Sequence, residues 1–496
     1  MKIKSILILL LSLQISLICH AEDAATATPI PQELLTGFSA VPQPTTTPFQ
    51  AILTDPTGNF SLGFLRQNQN QLKLAVIHVA SSEPFWVANP TRLASWAHTT
   101  RLSFNGSLVL SDSKTGVSWS TATNGHRAVL LNNSNLQVQN RATQTPIWES
   151  FHFPTNTLVQ DQNLTADKSL VSSNGLYSFR LGDDFMGLYT NLNGGKRLLY
   201  WKHTAMEAKD EVKEGEGPIY ARVNSEGGYL GMYQTSSKPV DVQKFSTFQQ
   251  DSTTSSFLLV RLETDGNLKG YYWNGSNWML NYEAIGETCE LPNPCGSYGL
   301  CTPGGAGCSC LDNQTRFESG GCEGGGGGDL CGGRGFGGGE SYRVLRRSGV
   351  EPPHKELVAH VTTASLAGCE GLCERNCSCW GVFYSNATGF CYVLDYPVGT
   401  VLGTGDGSKV GYFKVREGGE GRNRVGARVG IVVGVLVLIG VVIFGVGLCV
   451  KRLQRRRGVS GGMLKEENGH GASPGPYRNL KSASFRSIEM SVPISR

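Results

Sequence analysis

The chain has 496 residues, 14 of them cysteine, with 44 Lys and Arg against 40 Asp and Glu for a formal charge of +4. That charge is uneven: residues 451–496 hold ten Lys and Arg against three Glu, a net of +7, which leaves −3 for the remainder. The long portion ahead of that basic end is not basic enough for a nucleic-acid partner, and its length implies several domains rather than one core.

Lys2 and Lys4 precede an apolar run over residues 6–18, and Cys19-His20-Ala21 offers a small residue at a cut site. Residues 1–21 therefore read as a cleaved secretory signal peptide. From about residue 35 to 285 the texture is all-β, with short runs at 72–79, 108–110, 128–131 and 257–262 separated by Gly, Asn, Ser and Asp. Such spacing implies a sandwich, barrel or prism, and pattern alone does not choose among them. Eight N-x-S/T sequons begin at Asn59, Asn105, Asn132, Asn163, Asn274, Asn313, Asn376 and Asn386, all in the half expected outside the cell, and predict N-glycosylation.

After the signal no cysteine appears until Cys289, and then twelve fall between Cys289 and Cys391. An even, dense cluster in a secreted context is a disulfide framework, although any six cysteines allow 15 pairings. Zinc is the alternative for the spacing over Cys369–Cys391, but secretion favours oxidation and no histidine lies between those two cysteines, so no metal is expected. Residues 324–340 form a glycine-rich linker. Its Gly333-x-Gly335-x-x-Gly338 fits the dinucleotide fingerprint only on paper, beside Cys331 and without the strand and helix that fingerprint needs.

Residues 429–450 run without a charge and span about 33 Å as a helix, enough to cross a bilayer. Lys451, Arg452, Arg455, Arg456 and Arg457 follow at once, as expected on the cytoplasmic side. These features predict a single-pass type I protein of the plasma membrane with its N-terminus outside. Gly430-x-x-x-Gly434 lets two such helices approach closely, which makes the span a route to a partner or to a second copy. The tail, 451–496, is expected to be disordered, basic and drawn to anionic lipid, with Tyr477-Arg478-Asn479-Leu480 fitting a tyrosine-based sorting signal. Its 46 residues are too few for a kinase.

Two blocks carry a family resemblance. Phe85-Trp86-Val87-Ala88-Asn89 resembles the WVANR element of plant S-locus glycoproteins and G-type lectin receptor-like proteins, with Pro90 in place of arginine. Trp148-Glu149-Ser150-Phe151-His152-Phe153-Pro154-Thr155-Asn156-Thr157-Leu158 resembles that family's WxSFxxPTDTLL block. The resemblance implies a mainly β chain with tandem β-prism, bulb-type lectin domains at 32–160 and 165–285, each of three small sheets. It continues as an EGF-like module at 286–323, where Cys295-Gly296-Ser297-Tyr298-Gly299-Leu300-Cys301 is similar to the family's CGxYGxC, and an α+β PAN/apple domain at 331–416. By the same likeness the disulfides would be Cys289–Cys301, Cys295–Cys308, Cys310–Cys322, Cys331–Cys377, Cys369–Cys391 and Cys373–Cys379. Cys369 and Cys373, at i and i+4, would face the sheet from one side of a short helix.

The family's sugar site reads Q-x-D-x-N-x-V-x-Y, whose alternate residues on one strand would face one ridge and bond a hexose's hydroxyls. The first candidate strand supplies Ser103, Asn105, Ser107, Val109 and Ser111, keeping only the Val, and a glycan on Asn105 would crowd it. The second supplies Leu131, Asn133, Asn135, Gln137 and Gln139, keeping only the Asn. The third supplies Glu263, Asp265, Asn267, Lys269 and Tyr271, keeping three of five. Binding of mannose-type glycans at Glu263, Asp265, Asn267 and Tyr271 is one reading of the third; the other is that Asp265-Gly266-Asn267 is a β-turn serving backbone geometry.

The sequence therefore predicts a cell-surface receptor-like glycoprotein that binds an extracellular carbohydrate or protein ligand. Lacking a kinase of its own, it would act as co-receptor or decoy with a receptor kinase, or as a homodimer through the PAN domain and the transmembrane helix. A wall-facing adhesive or structural glycoprotein is the alternative. No GxSxG, HExxH or phosphate loop stands in a plausible context, so no enzyme activity and no cofactor are expected.

Overall fold

The computed structural model describes residues 29–416 apart from 89–91, 193–194, 206–211, 214–216, 236, 246–256, 305–306, 313–316, 318–320 and 323–341. All described residues belong to one compact unit, 1–418. Residues 1–21 and 429–450, the expected signal and span, lie outside the described residues, as do the tail, Asn313 and Cys331. Among the described residues no helix is long and apolar enough to cross a membrane.

The chain is mainly β, and its first half is built twice on one plan. Three antiparallel sheets of strands surround each core. In the first unit, Phe49–Thr54, Phe60–Asn68, Gln71–His78 and Glu83–Val87 form one sheet, with the short strand Ala94–Ser95 at its side. Phe38–Ala40 joins Thr100–Phe104, Leu108–Asp112 and Val117–Ser120 in the next. Glu33–Leu35 closes the unit by pairing with Arg127–Leu130, which is followed by Leu136–Gln139 and Pro146–Glu149. The second unit repeats that order. Its sheets are Ser169–Val171 through Arg197–Thr204, then Asn163–Thr165 with Tyr220–Asn224, Tyr229–Tyr233 and Asp241–Lys244, then Thr157–Val159 with Leu258–Leu262, Leu268–Trp273 and Trp278–Glu283.

Alternation explains why these segments are strands. In Thr100–Phe104, Thr100, Leu102 and Phe104 are buried while Arg101 and Ser103 point outward, and Leu108 and Leu110 continue the inward set across the hairpin. Leu34, Leu53, Leu62, Phe64, Leu72, Leu74, Leu102, Leu108, Leu136 and Val138 are wholly buried. Trp86, Trp119 and Trp148 come one from each sheet and meet edge to face, with centroids 5.8, 5.8 and 6.1 Å apart. The Trp86 indole N–H donates to Phe153 O at 2.9 Å, so the polar edge of a buried ring is satisfied.

An aromatic cluster joins the two units. His78 stands 4.8 Å from the Trp273 ring and 5.5 Å from Trp278, while Phe257 lies 5.3 Å from Phe60 and 5.6 Å from Phe85. Trp278 donates to Ser81 Oγ, and Arg261 pairs with Glu83 at 3.1 Å across the same seam.

Beyond residue 288 the core shrinks and cysteines replace it. The structure closes Cys289–Cys301, Cys295–Cys308, Cys310–Cys322, Cys369–Cys391 and Cys373–Cys379, and Cys377 is disulfide-bonded as well. The hairpin Gly299–Thr302 and Gly307–Cys310 is extended by Val401–Gly403 and Val350–Glu351, so the two cysteine-rich segments share a sheet. A second sheet of Tyr342–Ser348, Lys409–Arg416, Gly381–Ser385, Phe390–Leu394 and Val361–Thr362 carries the helix Leu366–Glu374. Ser365 caps that helix by accepting from Gly368 N, and both of its cysteines are buried. At its other end buried Lys414 donates to Cys373 O and Asn376 O at 3.0 and 3.2 Å.

Candidate functional site

The expectation that five alternate residues lie on one strand is corrected in all three cases. Each set straddles a hairpin. In the third, Glu263 follows the strand Leu258–Leu262, and Glu263 N and Asn267 O close the turn at 2.9 Å. Gly266 has a φ of +89°, a conformation that glycine adopts without a steric penalty, and this reverses the chain. Lys269 and Tyr271 then lie on the returning strand Leu268–Trp273. The Gly266 carbonyl accepts from Tyr200 Oη at 2.5 Å, and a Cβ on Gly266 would come within 2.7 Å of Pro292.

Within this turn the side chains have separate duties. Asn267 is 2% exposed; its amide donates to Ile285 O at 2.7 Å and accepts from Ile285 N at 3.0 Å. Both ends of that amide are thus engaged by backbone. Asp265 Oδ1 accepts from Asn267 N at 2.8 Å, which makes Asp265-Gly266-Asn267 an Asx-stabilised turn. The outward ridge consists of Glu263, Asp265, Lys269, Tyr271 and Glu283. Tyr271 Oη donates to Glu263 at 2.9 Å, and burial followed by the Glu263 charge holds that hydroxyl far above its ordinary pKa. Lys269 pairs with Glu283 at 3.0 Å; burial pulls its ammonium down, but Glu283, Asp265 and Glu263 outweigh burial and hold it raised. A lysine where the family has valine thus fills the middle of the ridge with charge.

The second set forms a buried polar ladder. Asn135 and Gln137 both donate to Glu149 Oε2, at 2.7 and 3.1 Å, Gln139 donates to Gln137, and Arg127 donates to Gln139. Asn133 caps the turn by accepting from Asn135 N, and Leu131 follows the incoming strand Arg127–Leu130. In the first set Ser103 pairs across the hairpin with Val109, Asn105 accepts from Ser107 N, and Ser107 bonds Ser120 at 2.7 Å; Ser111 continues the same strand. Asn59, Asn105, Asn132, Asn163, Asn274, Asn376 and Asn386 are all exposed. Among the described residues no three His, Cys, Asp or Glu side chains gather to hold a metal ion.

Two hairpins of the second unit occupy the same place in their sheets and escaped the sequence reading. Phe185-Met186-Gly187-Leu188-Tyr189 and Tyr229-Leu230-Gly231-Met232-Tyr233 each set a glycine between two aromatic residues and opposite an arginine, Arg180 or Arg222. A search for polar sugar ligands passes over them; the repeated aromatic-x-Gly-x-Tyr pattern is the signal that finds them.

Residues 84–180 match the D-mannose binding lectin family and residues 226–316 match the S-locus glycoprotein domain. The first match begins on the strand Glu83–Val87 of the first unit and ends at Arg180 of the second. A PAN domain-containing protein of Arabidopsis thaliana is 51% identical over 460 residues, 92% of each chain. The chain belongs to the bulb-type lectin and S-locus glycoprotein family, among its PAN domain-containing members. Its relatives in that family include G-type lectin S-receptor-like serine/threonine-protein kinases of Arabidopsis thaliana. One is 28% identical over 74% of this chain and 48% of its own length, and another, SD2-5, is 25% identical over 73% and 44%. This family member therefore spans about half the length of the kinases it matches.

Proposed function

We propose that this protein is a cell-surface receptor-like glycoprotein that binds extracellular carbohydrate through its tandem units and acts with a partner receptor. The observation that carries this reading is the lectin-family match over 84–180, laid on two units whose hairpins present polar and aromatic ridges outward. In this reading the units at 32–160 and 165–285 are β-prism lectin domains, 286–323 is the EGF-like module and 331–416 the PAN domain. The run at 429–450 anchors the chain in the plasma membrane.

The third ridge supplies the first site to test. Glu263, Asp265 and Tyr271 are the groups that meet a hexose, and Asn267 holds the turn from within. The non-catalytic character follows from the same reading, because sugar hydroxyls are bound here by acceptors and a phenol with no nucleophile beside a base. A receptor kinase is the partner proposed, because the relatives this chain resembles over about half their length are named as S-receptor-like kinases.

The full chain on a glycan array is the direct test. Binding that free mannose competes away, and that Asp265→Ala weakens, supports the third ridge. A blank array for the folded protein overturns the lectin reading. Recovery of a receptor kinase with the tagged protein after glycan treatment supports the co-receptor role; recovery with no kinase removes it.

A further inference from the structure

The sheet built from Ser169–Val171, Tyr177–Leu181, Phe185–Asn191 and Arg197–Thr204 has an outer face of unusual composition. Phe185, Gly187, Tyr189 and Asn191 alternate along its third strand and so share one side. Arg180 and Lys202 pair with Gly187 from the two neighbouring strands, and Arg197 pairs with Asn191. A Cβ on Gly187 would come within 2.9 Å of Leu199 Cδ1, 3.0 Å of the Tyr189 ring and 3.1 Å of the Phe185 ring. The two rings and Leu199 therefore close over the bare backbone of Gly187, and Gly182 admits Phe185 from the other side, where a Cβ would stand 2.1 Å from the ring. Cα atoms four residues apart on a strand are separated by about 13 Å, so Phe185 and Tyr189 mark out a length that suits an oligosaccharide.

Around this platform stand three cations. Arg180 Nε is buried without a hydrogen-bond partner. Burial, and then the charge of Arg197, pull the Arg180 guanidinium below its ordinary value, and the charges of both arginines oppose the rise that burial gives the Tyr189 hydroxyl. Lys202 lies 4.4 Å above the Phe185 ring. Among the described residues neither arginine nor Lys202 has a carboxylate partner, and no sequon falls between residues 166 and 204. The sister sheets differ. Arg222 lies 4.6 Å over Tyr233, whose ring is wholly buried, and Arg261 is already paired with Glu83. Of the three equivalent positions, Arg180 is the one whose neighbouring tyrosine, Tyr189, is partly exposed and which feels a second guanidinium with no carboxylate partner.

We propose that this face binds an acidic saccharide, a uronate-type sugar whose C–H face stacks on Tyr189 while its carboxylate bridges Arg180 and Arg197. The proposal rests on the reading that the chain binds glycan and names the class. An anion between two guanidinium groups relieves their mutual repulsion and supplies Arg180 with charge-assisted bonds. A neutral hexose would gain only the stacking.

The test titrates the full chain with de-esterified oligogalacturonate, its methyl-esterified counterpart, a mannan oligosaccharide and poly-glutamate. The acid form should bind at least about tenfold tighter than the methyl ester, the loss expected when a charged hydrogen-bond partner is removed. Arg180→Gln with Arg197→Gln should bring it down to the ester's level, and Arg180→Lys with Arg197→Lys should restore part of it. Arg197→Gln alone, at an exposed position, carries the test if the double variant melts low. Equal binding of acid and ester, an unaffected Arg197→Gln, or poly-glutamate bound as tightly as the uronate would each overturn the proposal. Mannan bound without uronate removes the acidic-sugar assignment and leaves the glycan reading standing, whereas no saccharide bound removes both.

Discussion

Replacing Asn267 with alanine separates the two roles its position suggests. Its amide holds the Ile285 N–H and C=O at 3.0 and 2.7 Å in a site 2% exposed. Alanine leaves both backbone groups buried without partners, at about 1–3 kcal/mol each, so the expected loss is about 3 kcal/mol after some relief by water. The two units are locked through the His78 and Trp278 seam and should melt together. For about 250 residues, 1 kcal/mol moves the midpoint by about 2–4 °C, which puts the fall at about 6–12 °C by calorimetry of the full chain. Asn267→Asp adds a sign: the carboxylate faces Ile285 O, its neutral form is favoured in the fold, and its folded pKa is raised. That variant should therefore lose stability as pH rises through the carboxylate range and regain it in acid. An Asn267→Ala protein that melts within about 1 °C of the parent but loses its glycan signal would refute the structural assignment and make Asn267 a ligand group.

Three further outcomes follow from buried polar groups. His78 sits in the aromatic seam with its Nδ1 2.9 Å from Ser81 Oγ, and burial lowers its pKa from 6.5. The unfolded chain takes up that proton first, so stability should fall as pH drops through 6.5 toward the lowered folded value, and His78→Gln should flatten that part of a melting-against-pH curve. Asp112 accepts from Ser95 N, Ser95 Oγ, Lys114 N and Thr115 Oγ1, which outweigh burial and hold its carboxyl well below the ordinary range. Its stabilisation is present above about pH 4 and lost below it, and Asp112→Asn should cost about 2–4 kcal/mol in a neutral-pH melt while removing that acid sensitivity. Lys414→Met removes the charged donor shared by Cys373 O and Asn376 O, leaving each with a backbone donor (Asn376 N and Cys379 N), and should cost about 2–3 kcal/mol, read as faster amide exchange in that helix before any change elsewhere.

Much of the β texture was legible because alternation is local. The runs expected at 72–79, 108–110, 128–131 and 257–262 fall on Gln71–His78, Leu108–Asp112, Arg127–Leu130 and Leu258–Leu262. Strand partners were not legible. Glu33–Leu35 pairs with Arg127–Leu130 across about ninety residues, and Leu300 pairs in parallel with Val401, neither of which leaves a trace in local pattern. Of the two readings of the third set, the fold shows the turn at Asp265-Gly266-Asn267; the single-strand ridge failed because a period of two was carried through Gly266, whose positive φ ends one strand and starts the next. The Asn267 position looked like a ligand for the same reason: only the fold shows that its amide turns inward to Ile285. Phe185, Gly187, Tyr189 and Arg180 were passed over because their chemistry is stacking and charge, which a pattern of hydrogen-bonding residues does not contain.

The central claim is that this chain recognises saccharide through its second three-sheet unit. Equilibrium binding of the full protein to immobilised neutral and acidic glycans, with and without free sugar as competitor, tests it most directly. The account predicts saturable binding to at least one glycan, displaced by the free sugar and weakened by Asp265→Ala or by Tyr189→Ala. Saturable binding that both variants leave unchanged, or no saturable binding by a protein that melts cooperatively, would contradict it.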